Sequence, residues 1–127
     1  MENIIGAYSL FDIKADKDVK LNIEKVTIKN TKKDGNGSVI ANESADAVVT
    51  VKDASVESNN ATGNGGAIYN KGDLILNNVT IAAASDTAKN DIYQENGNTT
   101  LTGKNAILSD ITATSGTIKN KGTTRKI

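Results

Sequence analysis

The stretch Gly66-Ala67-Ile68-Tyr69-Asn70-Lys71-Gly72-Asp73-Leu74-Ile75-Leu76-Asn77-Asn78-Val79-Thr80-Ile81 sets three short apolar segments between turn-forming residues. Leu74 and Leu76 flank Ile75, and Val79 and Ile81 flank Thr80. Apolar residues at i and i+2 present one face to a core, which is the pattern of a half-buried strand. The same alternation recurs in Leu21-Asn22-Ile23, Val26-Thr27-Ile28 and Val49-Thr50-Val51. No segment sustains a helical period. The best helix candidate, Ala82 to Asn90, lacks an apolar stripe and reads as a loop.

The segments repeat in phase. Anchor isoleucines stand at positions 40, 68, 92 and 118, at intervals of about 24 to 28 residues, and Ile13 fits as an earlier, weaker member. A second series, Ile28, Val56, Ile81 and Ile107, keeps step with the first, and a third is Ile23, Val51, Leu76 and Leu101. Three short strands per interval make one coil of a three-sided parallel β-solenoid, whose ladder hydrogen bonds all run between coils. The spacing predicts a single all-β domain of about four coils over residues 19–42, 48–70, 74–94 and 99–120. An irregular partial coil, 1–18, precedes them and a short tail, 121–127, follows. Loops at Lys32 to Gly37, Ser58 to Gly65 and Ser85 to Asn90 absorb the unequal spacings.

Stacking turns positions into columns. Two residues after each anchor stand Asn42, Asn70, Gln94 and Asn120, expected inward as a structural amide ladder in which each side chain bonds its neighbours. Three residues after each anchor, Glu43, Lys71, Glu95 and Lys121 alternate in sign along an exposed column, and Asp16 extends it with the wrong sign. One residue after each anchor, Ala41, Tyr69, Tyr93 and Lys119 point outward. Tyr69, Tyr93 and Lys119 are the candidate ligand-binding residues, because large aromatics offer contact area at low entropic cost. Cross-strand packing of aromatic neighbours is the structural alternative for the tyrosines. The outward column Thr27, Ser55 and Thr80 is interrupted at Ala106, too narrow for an ice-binding face.

Composition narrows the chemistry. The chain has 127 residues, 15 basic and 15 acidic, and 37% of it is hydrophobic. Zero net charge argues against nucleic acid as a partner. The absence of Cys and His removes thiol nucleophiles, His bases and metal sites built on those ligands. No apolar run approaches membrane-spanning length, so no membrane insertion of this segment is expected. Asp53, Asp73 and Asp86 share no solenoid position, and the sole arginine, Arg125, lies in the tail, so no carboxylate pair or lyase-type site is assembled. Asp34-Gly35-Asn36-Gly37-Ser38 opens like a calcium loop but continues with Val39 and Ala45 where an EF-hand needs Gly and Glu. Gly63 to Gly66 precedes no Gly-Lys-Ser/Thr and reads as a turn rather than a phosphate loop. No cofactor or metal is expected, and no enzymatic activity.

Asn59-Asn60-Ala61-Thr62-Gly63-Asn64-Gly65-Gly66-Ala67-Ile68-Tyr69-Asn70 with the following Lys71 to Ile81 resembles the repeats of bacterial polymorphic outer-membrane proteins and related autotransporter-adhesin passenger domains. Gly116-Thr117-Ile118-Lys119-Asn120-Lys121-Gly122 and Ser38-Val39-Ile40-Ala41-Asn42 keep part of the same frame. The resemblance implies a right-handed parallel β-helix, extracellular or displayed on the bacterial cell surface, acting as a non-enzymatic adhesin or structural spacer. Its implied partner is a glycan or protein of a host or neighbouring cell. Such proteins carry a signal peptide and a membrane barrel, so this sequence reads as a fragment. The alternatives are a non-catalytic piece of a carbohydrate-active β-helix enzyme, or a solenoid that self-associates end to end into filaments.

Overall fold

The computed structural model describes residues 5–6, 9–83, 91–107 and 111–126, and every element in them is a β-strand. The strands form three parallel stacks and one short further ladder, in which Ile5–Gly6, Lys32–Lys33 and the end of Val48–Ala61 pair, so the expected loops at Lys32 to Gly37 and Ser58 to Gly65 both begin as strand. The first face stacks Lys20–Glu24, the start of Val48–Ala61, the start of Asp73–Ala83, Asn98–Thr102 and Thr117–Asn120. The second stacks Thr27–Lys29, the later parts of the same two long strands, Lys104–Ile107 and Thr123–Lys126. The third stacks Phe11–Ile13, Ile40–Asn42, Ile68–Asn70, Ile92–Gln94 and Ile111–Ala113. This is the all-β, three-sided parallel solenoid that the periodicity predicts.

The turns are unequal. Lys20, Val48, Asp73, Asn98 and Thr117 stand in one column, and the last turn, from Asn98 to Thr117, is shorter than the three before it. The solenoid is therefore about three full-length turns with a short final one, rather than four equal coils. The shortening falls between the second and third faces, where only 108–110 separate Ile107 from Ile111. The expected loop Ser85 to Asn90 lies outside the described residues.

That short turn corrects the end of the anchor series. Ile92 pairs with Ile111, and Ile118 moves to the first face opposite Thr99. At the other end Phe11, not Ile13, opposes Ile40, and Ile13 opposes Asn42. The other two series stand: Ile23, Val51, Leu76 and Leu101 share one column, and Ile28, Val56, Ile81 and Ile107 another.

Inward residues of the three faces meet in one core, with Ile40, Ile68, Leu74, Leu76, Ile81 and Ile92 all at most 2% exposed. Corners between the first and second faces need left-handed backbone. Lys25, Asp53, Asn78 and Gly103 supply it with φ of 55°, 50°, 56° and 68°. Asn, Asp and Gly tolerate that region, and the amides also brace the corner: Asn78 Nδ2 donates to Asp53 Oδ1 at 3.1 Å, and Lys104 N donates to Asn78 Oδ1 at 2.9 Å. At Gly97, with φ of 80°, a Cβ would lie 1.9 Å from the Gly72 carbonyl oxygen, so only glycine lets these two rungs approach.

Candidate functional site

The amide column spans three rungs, but a side-chain bond between amides joins only Asn42 to Asn70. Asn42, Asn70 and Gln94 share one column and are at most 1% exposed. Asn42 Nδ2 donates to Asn70 Oδ1 at 3.0 Å, and Asn42 Oδ1 accepts from Ser44 N at 3.0 Å. Asn70 closes a turn on Gly72, giving Nδ2 to its carbonyl at 2.7 Å and taking its N–H at 3.2 Å. Gln94 Nε2 reaches the carbonyls of Gly97 and Ser115, both at 3.0 Å, while its Oε1 accepts the Thr99 hydroxyl. The fourth expected member does not join. Asn120 lies on the first face opposite Leu101, and Ala113 occupies the ladder position beyond Gln94.

Outside the ladder, on the third face, Tyr69 and Tyr93 stack with ring centroids 5.9 Å apart and planes within 4°. Tyr69 is only 6% exposed, and its hydroxyl donates to Glu95. Lys71 Nζ lies 3.1 Å from the same carboxylate group. Burial, followed by the Glu95 carboxylate, pushes the Tyr69 phenol well above its ordinary value. Glu95 is held below the usual carboxylate range by the Tyr69 hydrogen bond and then by Lys71. The structural alternative for the tyrosines, packing between neighbouring rungs, is the arrangement observed, and it leaves little of Tyr69 for a ligand.

Lys119 is not beneath the tyrosines. Thr112 follows Tyr93 in that column, and Lys119 stands on the first face opposite Thr100. The charge column shifts likewise. Glu43 N donates to the carbonyl of Ile13 and Lys71 N to that of Asn42, which puts Lys14, Glu43, Lys71 and Glu95 in succession. Lys14 therefore replaces Asp16 and restores the alternation, while Lys121 belongs beside Thr102 on the first face.

A titration reads the tyrosine cluster. An ordinary phenol ionises near pH 10, approximately. Tyr69 is expected to remain protonated well beyond that, and the latest part of the tyrosinate absorbance titration should vanish in Tyr69→Phe. Glu95→Gln should bring that ionisation down part of the way, because burial is the larger cause. On the acid side, Glu95 has a lowered value in the folded chain. Its contribution is present above the ordinary carboxylate range and is lost as pH falls through the lowered value. Ionisation of Tyr69 at the free-phenol value would show that the ring is neither buried nor held by Glu95.

The displaced lysines line a groove. It runs across four rungs of the first face, has a volume of about 260 Å³ and is lined by Val48, Asp73, Ile75, Asn98, Lys119 and Lys121, with Leu74 and Thr100 completing it. Its side wall is a chain of hydrogen bonds: the Thr117 hydroxyl donates to Asn98 Oδ1, and Asn98 Nδ2 donates to Asp73 Oδ1 at 3.2 Å. Neither Lys119 nor Lys121 has a side-chain partner among the described residues. The described lining holds one carboxylate, Asp73, so it is not the two-carboxylate arrangement of glycoside hydrolysis. Its donors and amines suit binding.

The loop Asp34 to Gly37 is used from coil to coil. Asp34 Oδ1 accepts the Thr62 hydroxyl at 2.8 Å, Asn36 Oδ1 accepts Asn64 N at 2.7 Å, and Gly63 N donates to the Gly35 carbonyl at 2.7 Å. Among the described residues, no group of three or more His, Cys, Asp or Glu could hold a metal ion.

Sequence reading leaves several buried polar residues unassigned, Ser9, Thr31, Ser44, Asp91, Thr99 and Asn105 among them, and two show why. Asn105 is 2% exposed; its Oδ1 accepts Val79 N at 2.9 Å and its Nδ2 donates to Thr102 O at 3.0 Å. Thr99 is fully buried against Gln94. The signal for Thr99 is its place in the column of Leu21, Val49 and Leu74, where a polar residue needs a buried partner. Asn105 is hidden because Lys104 is an extra residue: Thr102 opposes Asn77, while Ala106 opposes Thr80.

No protein-family model matches this chain, and no curated protein or solved structure is significantly similar to it.

Proposed function

We propose that this chain is a segment of a bacterial surface or secreted β-helix that acts as a non-enzymatic adhesin or structural spacer. The observation that carries this reading is the way its polar side chains are engaged. Asn42 bonds Asn70, Tyr69 bonds Glu95, Thr62 bonds Asp34, and Asn98 bonds Asp73, each pair joining adjacent rungs. Side chains held in this way stiffen a scaffold and are poorly placed to move protons for a substrate. The resemblance of the Asn59 to Ile81 stretch to adhesin passenger repeats favours the extracellular, bacterial setting. A stacked solenoid meets partners through its faces and loops.

The test is incubation with a panel of acidic and neutral polysaccharides. No release of reducing or unsaturated sugar ends is expected. Time-dependent shortening of any chain, abolished by heat denaturation of the protein, would replace this reading with that of a carbohydrate-active enzyme.

A further inference from the structure

We propose that the groove on the first face binds an acidic oligosaccharide, with the Lys119 and Lys121 ammonium groups on its carboxylates or sulfates and Asn98, Thr100 and Asp73 on its hydroxyls. The proposal rests on the scaffold reading above and adds the ligand class to it.

Three features of the groove select this chemistry. First, Lys119 lies in the strand Thr117–Asn120, Lys121 follows it with its N–H on the Leu101 carbonyl, and both side chains line the groove. They stand about 7 Å apart along the chain. Both are exposed and, among the described residues, unpaired. They are the two cations of the groove against one carboxylate, and Asp73 is already engaged by Asn98. Two ammonium groups against one carboxylate leave the groove net positive at its lysine end.

Second, the rest of the lining alternates hydroxyl, amide and apolar surface. Thr100 and Ile75 sit on successive rungs below Lys119, and Asn98 and Asp73 sit on successive rungs beside them. A sugar ring presents this same mixture, hydroxyls at its edge and C–H groups on its face. The groove spans three rung intervals, roughly 14 Å, room for several rings in a row.

Third, three of the groove's four rungs lie inside the sheet, and the fourth, Thr117–Asn120, is its edge strand among the described residues. The strands Asp73–Ala83 and Asn98–Thr102 are paired on both sides, so their N–H and C=O groups are taken by the ladder. An extended acidic peptide gains most of its affinity by adding to a strand edge through main-chain hydrogen bonds. That mode is closed over the Asp73 and Asn98 rungs and open only along the outer side of Thr117–Asn120. A ligand lying across the inner rungs must be recognised by side chains, which favours a molecule that brings its own dense array of hydroxyls and charges. Polyglutamate, used as a probe, tests the edge.

The test uses the whole chain and isothermal titration with four probes: an oligogalacturonate, its methyl-esterified neutral form, a sulfated oligosaccharide and polyglutamate. The variant is Lys119→Gln with Lys121→Gln. A control of equal charge change is Lys14→Gln with Lys17→Gln, both exposed and off this face. The expected result is binding of the uronate or the sulfated sugar that weakens about tenfold or more in the groove variant. In the control variant it should change by less than about twofold. The methyl ester should not bind. Binding of one anionic sugar and not the other identifies the anion. Equal weakening by both variants, or equal binding of the methyl ester, overturns the site. So does the failure of both anionic sugars to bind, and that outcome leaves the scaffold reading standing. Polyglutamate binding as tightly as the sugars, with the same lysine dependence, would overturn the sugar assignment and make this an acidic-peptide surface. Sugar that binds and is then cleaved would keep the site and overturn the scaffold reading.

Discussion

Ile68→Asp is expected to destabilise the folded chain by about 3 kcal/mol or more. Ile68 is 2% exposed and stands between Ile40 and Ile92 in the central column of the third face. All three isoleucines point into the core, so a carboxylate at 68 would be buried without a counter-charge. The change would also remove the branched aliphatic contact with both neighbouring rungs. Urea unfolding provides the measurement, read as a fall in midpoint at constant slope. Ile75→Asp is the matched comparison. Ile75 has the same side chain on a strand of the next face, but it points outward into the groove, opposite Thr50 and Thr100. Its replacement should cost under about 1 kcal/mol. Similar losses at 68 and 75 would show that the inward and outward assignments are wrong.

The contrast between these two isoleucines is also where the sequence is most legible. Period-two alternation says which of two adjacent residues faces the core, and it is local, so it survives uncertainty about coil length. The rungs from Leu21 to Leu76 follow from it directly. Stacking partners are a different matter, since they depend on how much chain each loop consumes. Ile118 follows Ile92 at the anchor interval and carries a Thr-Ile-Lys-Asn frame much like the other anchors, yet the rung partner of Ile92 is Ile111. Alternation assigns Ile118 inward on either face, and nothing in its own neighbourhood distinguishes the two. What the local pattern lacks is the length of the connection at 108–110. Once the last turn shortens, Lys119, Asn120 and Lys121 all change face together, as any register error moves a whole strand.

The same shift governs the candidate site. The tyrosines stack where the periodicity places them, because Tyr69 and Tyr93 lie on rungs whose register follows from the anchors. The engagement of Tyr69 with Glu95 is not visible in the sequence, since it depends on how a phenol reaches across a strand to a side chain two residues past its neighbour. The lysine expected beneath them falls instead on a groove that no single segment encodes. That groove needs Val48, Asp73, Asn98 and Lys119 brought together from four turns. A concavity of this kind belongs to the stack and has no signature in any one repeat.

Asn70→Ala should destabilise the chain by about 3 kcal/mol, far more than Lys71→Ala one position on. The asparagine Oδ1 accepts from both Asn42 Nδ2 and Gly72 N. Removing it leaves two buried donors without a partner, each costing roughly 1–3 kcal/mol. The Gly72 carbonyl also loses the Nδ2 donor but keeps Asn98 N, so its loss is smaller. Lys71, by contrast, contributes an ion pair to Glu95 with side chains 40% and 45% exposed. Pairs so exposed are screened by solvent, and breaking this one should cost under about 1 kcal/mol. Unfolding midpoints of the two variants decide the matter, and amide exchange locates the effect. In Asn70→Ala the Gly72 N–H should exchange faster ahead of global unfolding, because its acceptor is gone. Equal losses in the two variants, with Gly72 exchange unchanged, would mean that the buried amides are passengers and that apolar stacking alone holds the rungs in register.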